Sequence, residues 1–147
     1  MLKAFGVGLL LLVASVSGAA ADNMCGDEPI APAIPAPAEI AKKSPVDAAT
    51  AKHNAFQDIR RWQAELKTYR DCLDATTNTD KREVGEAQRS EKPDKDKIAG
   101  LQKEIAGASH AYDVTADDEE KVVNDFNALS VAYCSRADVD RSSCPKR

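Results

Sequence analysis

Runs of valine, isoleucine and threonine of the kind that build strands are missing from this sequence. Glycine and histidine are scarce, at seven and two residues. A β-sandwich, a β-barrel and a doubly wound α/β fold are thereby excluded. Large apolar residues are few as well. Beyond residue 21, Leu, Ile, Val and Phe together number 19 in 126, about 15%, below the roughly 20% at which an ordinary core becomes doubtful. A basic field is also lacking. The formal charge is −4, and −5 once Lys3 is set aside, which argues against nucleic acid as a partner. What remains, at 147 residues, is one thin, alanine-rich, charged, helical domain.

The single long apolar run stands at the N-terminus. Lys3 supplies a positive start, Ala4 to Val16 an apolar segment containing Leu9 to Leu12, and Ala19-Ala20-Ala21 the small residues of a cleavage site. Residues 1–21 therefore read as a signal peptide, cut before Asp22. The alternative is an uncleaved anchor, but the run is short for a span of about 20 residues. With the signal removed no membrane span is expected, and the protein is periplasmic or secreted. A lipid-anchored form is excluded, because Cys25 follows Asp22-Asn23-Met24 rather than small apolar residues.

Four cysteines then follow: Cys25, Cys72, Cys134 and Cys144. An even number in a short exported chain reads as two disulfides. No C-x-x-C is present, which excludes a thioredoxin-like motif and removes the paired knuckle of a zinc site.

Residues 22–44 form a proline-rich strap. Pro29, Pro32, Pro35 and Pro37 are dense enough to forbid helix and to favour an extended polyproline conformation. Ser44-Pro45-Val46-Asp47 starts a helix: Ser44 caps, Pro45 suits the first position, and Asp47 complements the dipole. Ala55, Ile59, Trp62, Leu66, Tyr69 and Leu73 then recur at alternating steps of four and three, flanked by Phe56. A second seam runs through Ile98, Leu101, Ile105, Ala108, Tyr112, Thr115, Glu119, Val122, Phe126, Leu129 and Tyr133. Its register survives the polar Thr115 and Glu119, so it predicts one helix of roughly 40 residues, about 60 Å long.

Pro93 divides the seams. If the chain reverses at Lys92-Pro93, facing residues have numbers that sum to about 185. That rule pairs Ile59 with Phe126, Trp62 with Val123, Phe56 with Leu129 and Leu73 with Tyr112, and places Trp62 near Val122 and Phe126. It also brings Arg60 to Asp125 and Lys67 to Asp118. The expected fold is all-α: an antiparallel hairpin of two long coiled-coil-like helices, about 45–91 and 94–137, in a domain spanning 45–137. The alternative is a three-helix up-down-up bundle, broken at the poor helix formers Asp74 to Asp80.

The hairpin dictates a disulfide pairing. From Cys72 back to Ser44 is about 42 Å of helix. From Ser44 back to Cys25 the strap spans about 59 Å. The strap can run back along the first helix and join Cys25 to Cys72. Cys144, in the tail 138–147, can fold back on Cys134 and clip the helix end. A Cys72–Cys134 bridge needs the bundle instead.

Catalytic and metal sites are not expected, and no cofactor is implied. In the hairpin register His53 and His110 stand roughly 33 Å apart along the axis, too far to share a centre. Asp113, Asp117, Asp118, Glu119 and Glu120 lack the spacing and glycine of a calcium loop. They read instead as a helix start, or as partners of Lys67 and Arg70. The seam aromatics read as core.

Cys25, the proline-rich strap and the helix carrying Tyr69-Arg70-Asp71-Cys72-Leu73 resemble small uncharacterised exported α-helical proteins of Gram-negative bacteria. The resemblance covers roughly residues 25–75. It implies a periplasmic place and a helical fold, with no activity. Two function classes follow as expectations. One is a non-enzymatic envelope protein with a structural or protein-interaction role, binding a protein partner or a second copy through its helix faces. The other is a periplasmic holdase chaperone or inhibitor that binds exported proteins.

Overall fold

The computed structural model describes residues 24–145. The expected leader, its cleavage site and the outermost residues of strap and tail lie outside the described residues. Among these residues three helices follow one another: α1 (Pro37–Lys42), α2 (Pro45–Arg89) and α3 (Lys95–Cys134), with a 3₁₀ turn at Arg141–Ser143. The two long helices pack antiparallel as a hairpin, and no strand occurs among the described residues.

Local chemistry sets the helix ends. The Ser44 hydroxyl accepts from the Asp47 N–H at 3.1 Å and donates to its carboxylate at 2.7 Å, with Pro45 at the first helical position. At the turn, Pro93 bars continuation. Asp94 then caps α3 by accepting from the N–H groups of Asp96 and Lys97. The segment Asp74 to Asp80 does not break α2. Thr79 returns its hydroxyl to the Ala75 carbonyl at 3.0 Å, a local bond compatible with helix. The three-helix up-down-up bundle is thereby excluded.

The expected register holds. Arg70 meets Thr115 at 2.9 Å, Gln63 meets Glu119 at 2.9 Å, and near the turn Lys97 meets Glu83 at 3.1 Å. Two expected cross-helix ion pairs do not form. Lys67 pairs with Asp71, and Asp125 with Lys121, each one turn away on its own helix. A partner at i+4 is nearer than one across the hairpin.

Strap and α1 form a third layer on one face of the hairpin. Ala31 and Ile34 pack against Ile59, Trp62, Leu66 and Val122. Ile40 of α1 is fully buried against Ala48, Ala55, Leu129 and Tyr133. The strap shows the three-residue period of a polyproline helix. Ala31 and Ile34 face inward, whereas Ile30, Ala33 and Ala36 face solvent. One expectation is corrected here, because the strap is not extended to its end. Pro37 opens α1 at the first turn, where its missing N–H costs nothing, and the next seven residues are free of proline.

Three fastenings hold this layer. Cys25 is bonded to Cys72, with Cα atoms 5.6 Å apart; the second bridge, Cys134–Cys144 at 5.8 Å, clips the tail to the end of α3 instead. The Trp62 indole N–H donates to the Pro29 carbonyl at 3.0 Å. Arg136, just beyond α3, donates to the carbonyls of Ile40 and Lys43 while Asp138 grips its other nitrogens.

Among the seam residues, Ile59, Trp62, Leu66, Tyr69, Leu73, Val122, Leu129 and Tyr133 are buried. Leu101, Ile105 and Phe126 are half-buried. Phe56 is 43% exposed and Tyr112 37%, so neither is a core residue. Val123, expected beside Trp62, is 38% exposed, and Val122 fills that place. Between Leu73 and Thr115 the one buried residue among those described is Asp80, whose Oδ2 has no hydrogen-bond partner.

Candidate functional site

A two-helix layer has two broad faces, and strap and α1 cover one of them. At about 100° per residue, Phe56 and His53 lie roughly 100° and 160° round α2 from the buried Ala55. Both therefore point to the uncovered side. There, at the open end of the hairpin, α2 and α3 flank a groove of about 520 Å³. No described residue of the strap or of α1 lines it.

The groove is aromatic, and none of the described residues that line it is acidic. Phe56 and Phe126 stand with ring centroids 6.0 Å apart, tilted by 38°. Beyond them the Lys52 ammonium lies 4.8 Å over the Tyr133 ring, an attraction of cation to π-face. Burial pushes the Lys52 pKa below the usual lysine range, because a partly dry site disfavours charge. Asn127 and Ser130 continue the groove into a wider depression of about 860 Å³, over Val131, Arg141 and the Cys134–Cys144 bridge. Among the described residues that line the two depressions none is Asp or Glu, and Lys52 and Arg141 both contribute.

Sequence reasoning missed this surface as a unit. Phe56 was expected in the core, and Lys52, Asn127 and Ser130 belong to no pattern. The available signal was the place of Phe56 one residue off the buried stripe.

Farther along the same hairpin lies a polar cross-link. Glu119 accepts from Arg70 Nη1 at 2.6 Å and from Gln63 Nε2 at 2.9 Å. Arg70 Nε donates to the hydroxyl of Thr115, which itself donates to the Tyr112 carbonyl. The acidic stretch thus meets Arg70, one of its two expected partners. The Arg70 hydrogen bond, opposed by burial and helped by Gln63, holds the Glu119 carboxyl below the usual range. A lowered carboxyl pKa stabilises the fold above the unfolded value and ceases to do so as pH falls through the folded one. Glu119→Gln is therefore expected to flatten the loss of stability below about pH 4.5. Its effect near neutrality is about 1 kcal/mol or less, because the pair is partly solvated. Urea titrations of both proteins from pH 3 to 7 provide the check, and parallel curves below pH 4.5 contradict the assignment.

The remaining candidate chemistry is accounted for plainly. All four cysteines are in disulfides. Among the described residues no group of three or more His, Cys, Asp or Glu is placed to hold a metal ion. Among them, too, no helix is long and apolar enough to cross a membrane. Comparison with protein-family models, curated proteins and solved structures finds no match in any of the three.

Proposed function

We propose that this is a non-enzymatic protein of the periplasm or cell envelope, or secreted, whose role is structural or protein-interacting. Its contact surface is the aromatic groove at the open end of the hairpin. The observation that carries this reading is Phe56, a large ring 43% exposed beside Phe126 on the hairpin face that the strap leaves bare. Aromatic side chains that a fold does not need for its own core are the usual anchors of a protein interface. The two disulfides accord with an oxidising compartment.

The holdase reading has less support. A holdase needs a broad apolar surface that accepts many clients, and this groove is narrow and bordered by Lys52, His53 and Asn127. The test is a photo-reactive phenylalanine analogue at position 56, irradiated in the oxidising compartment of the native host. One discrete adduct, lost when Lys52→Glu is added, supports the interaction role. A smear of many adducts favours the holdase, and absence of any adduct refutes the groove as a contact surface.

A further inference from the structure

The seven-residue step that places Leu66 and Leu73 in the core of α2 leads next to residue 80, and there the side chain is a carboxylate. Asp80 is 7% exposed, its Oδ2 has no hydrogen-bond partner, and it joins no ion pair among the described residues. A carboxylate taken out of water without a partner disfavours the state that buries it. In an opened hairpin it regains that water.

Asp80 stands in the least supported part of the molecule. The described strap reaches along α2 to Cys72 and Thr76, where Cys25 is bonded to the first and lies 3.8 Å from the hydroxyl of the second. Every buried apolar residue among those described lies outside residues 77–114, and so do both disulfides. Within that stretch Val84, Ile98, Leu101 and Ile105 are only half-buried. The Glu83–Lys97 pair that crosses between its helices is open to solvent, where an ion pair contributes little. The helices are also weak in themselves. Thr77, Asn78 and Thr79 are poor helix formers, and Gly85, Gly100 and Gly107 all fall here. Packing does not call for glycine at position 100, since a Cβ there would meet nothing within 4 Å.

We infer that the hairpin consists of two units of unequal stability. Residues 77–114 form an arm that opens on its own while the strap-covered base stays folded, and the unpartnered carboxylate of Asp80 holds the arm close to opening. Cooperative units that open below the global unfolding free energy are a general property of proteins, and they coincide with stretches poor in buried apolar contacts. Opening bares Ile98, Leu101 and Ile105, one stripe of α3, and leaves the groove at the other end of the hairpin as it is.

Hydrogen exchange of the disulfide-intact protein, read amide by amide at low urea concentrations, tests this. Interior amides of the arm should exchange through one shared opening, about a hundred-fold or more faster than those around Leu66 and Leu129. Asp80→Leu should slow the arm by about ten- to hundred-fold. Asp80→Asn keeps the shape and loses the charge, and should slow it by less. Gly100→Ala, at an exposed position with room for the methyl group, should slow it about two- to five-fold. Leu129→Ala should speed exchange in the base and leave the arm unchanged, because it weakens the base equally whether the arm is open or closed. Equal protection in arm and base overturns the proposal, as does an arm that follows Leu129→Ala. An arm that opens separately but that neither Asp80→Leu nor Asp80→Asn slows, with Gly100→Ala still slowing it, overturns the role given to Asp80.

Discussion

Trp62→Ala should be the most damaging single substitution in the molecule, at a cost of about 3–5 kcal/mol. The ring is 3% exposed and packs with Ile59, Leu66 and Val122. Ala31 and Ile34 of the strap lean on the same cluster. Removing the ring opens a cavity between the long helices and undermines the third layer. It also leaves the Pro29 carbonyl without its donor. Trp62→Phe separates these effects. It keeps most of the apolar contact and loses the hydrogen bond, worth about 1 kcal/mol. Urea unfolding of the three proteins measures both. If Trp62→Ala costs less than about 0.5 kcal/mol, the usual value for a surface change, the core is not where these contacts place it.

The second large effect is expected from the disulfides, and it is unequal. Cys25–Cys72 closes a loop of 47 residues and Cys134–Cys144 one of 10. On the chain-entropy relation, deleting the first bridge by paired alanine substitution costs about 4 kcal/mol, and deleting the second about 3 kcal/mol. Small domains hold only about 5–15 kcal/mol in total, so loss of the first bridge consumes a large share. It also frees the end of the strap that the Trp62 bond then holds alone. Thermal unfolding of the two double-alanine proteins decides the order. A greater loss for the Cys134–Cys144 pair would show that strain or unfolded-state structure, rather than loop length, governs these bridges.

The parts of the fold that rest on local chemistry or chain length were legible in the sequence. Ser44-Pro45 and Pro93 mark where helices start and stop because a cap or a missing N–H is a matter of one or two adjacent residues. The register follows from two seams whose steps of three and four admit few alignments. The disulfide pairing follows from comparing the reach of the strap with the length of the helix it runs beside. Other features lacked such a signal. Helix α1 is too short, at six residues, to show a period. Tyr112 occupies a regular seam step yet faces outward, because a strict seven-residue repeat drifts by about 20° per heptad around a straight helix. Asp80 sits buried where the pattern calls for an apolar side chain. The groove was hidden for a tertiary reason. It exists because strap and α1 choose one face of the hairpin and leave the other, and nothing in the spacing of Lys52, Phe56 or Asn127 states which.

The barren stretch between Leu73 and Thr115 has a consequence for how the chain finds this structure. A helical hairpin ordinarily zips from its turn, each step rewarded by the next local contact. Here, apart from the solvent-exposed Glu83–Lys97 pair, the first rewards lie far from Ser90–Asp94. Gln63 and Glu119 are 56 residues apart in sequence, and Arg136 and Ile40 are 96 apart. The productive nucleus must therefore close a long loop, and an all-helical protein acquires the slow, non-local folding usually associated with sheets. Loop-closure entropy rises only logarithmically with length. Inserting ten glycines and serines at the turn should then cost about 0.1–0.2 kcal/mol and change the refolding rate by less than about two-fold. If the nucleus were at the turn, the same insertion would triple the loop to be closed and slow refolding by about five-fold, which stopped-flow mixing distinguishes readily.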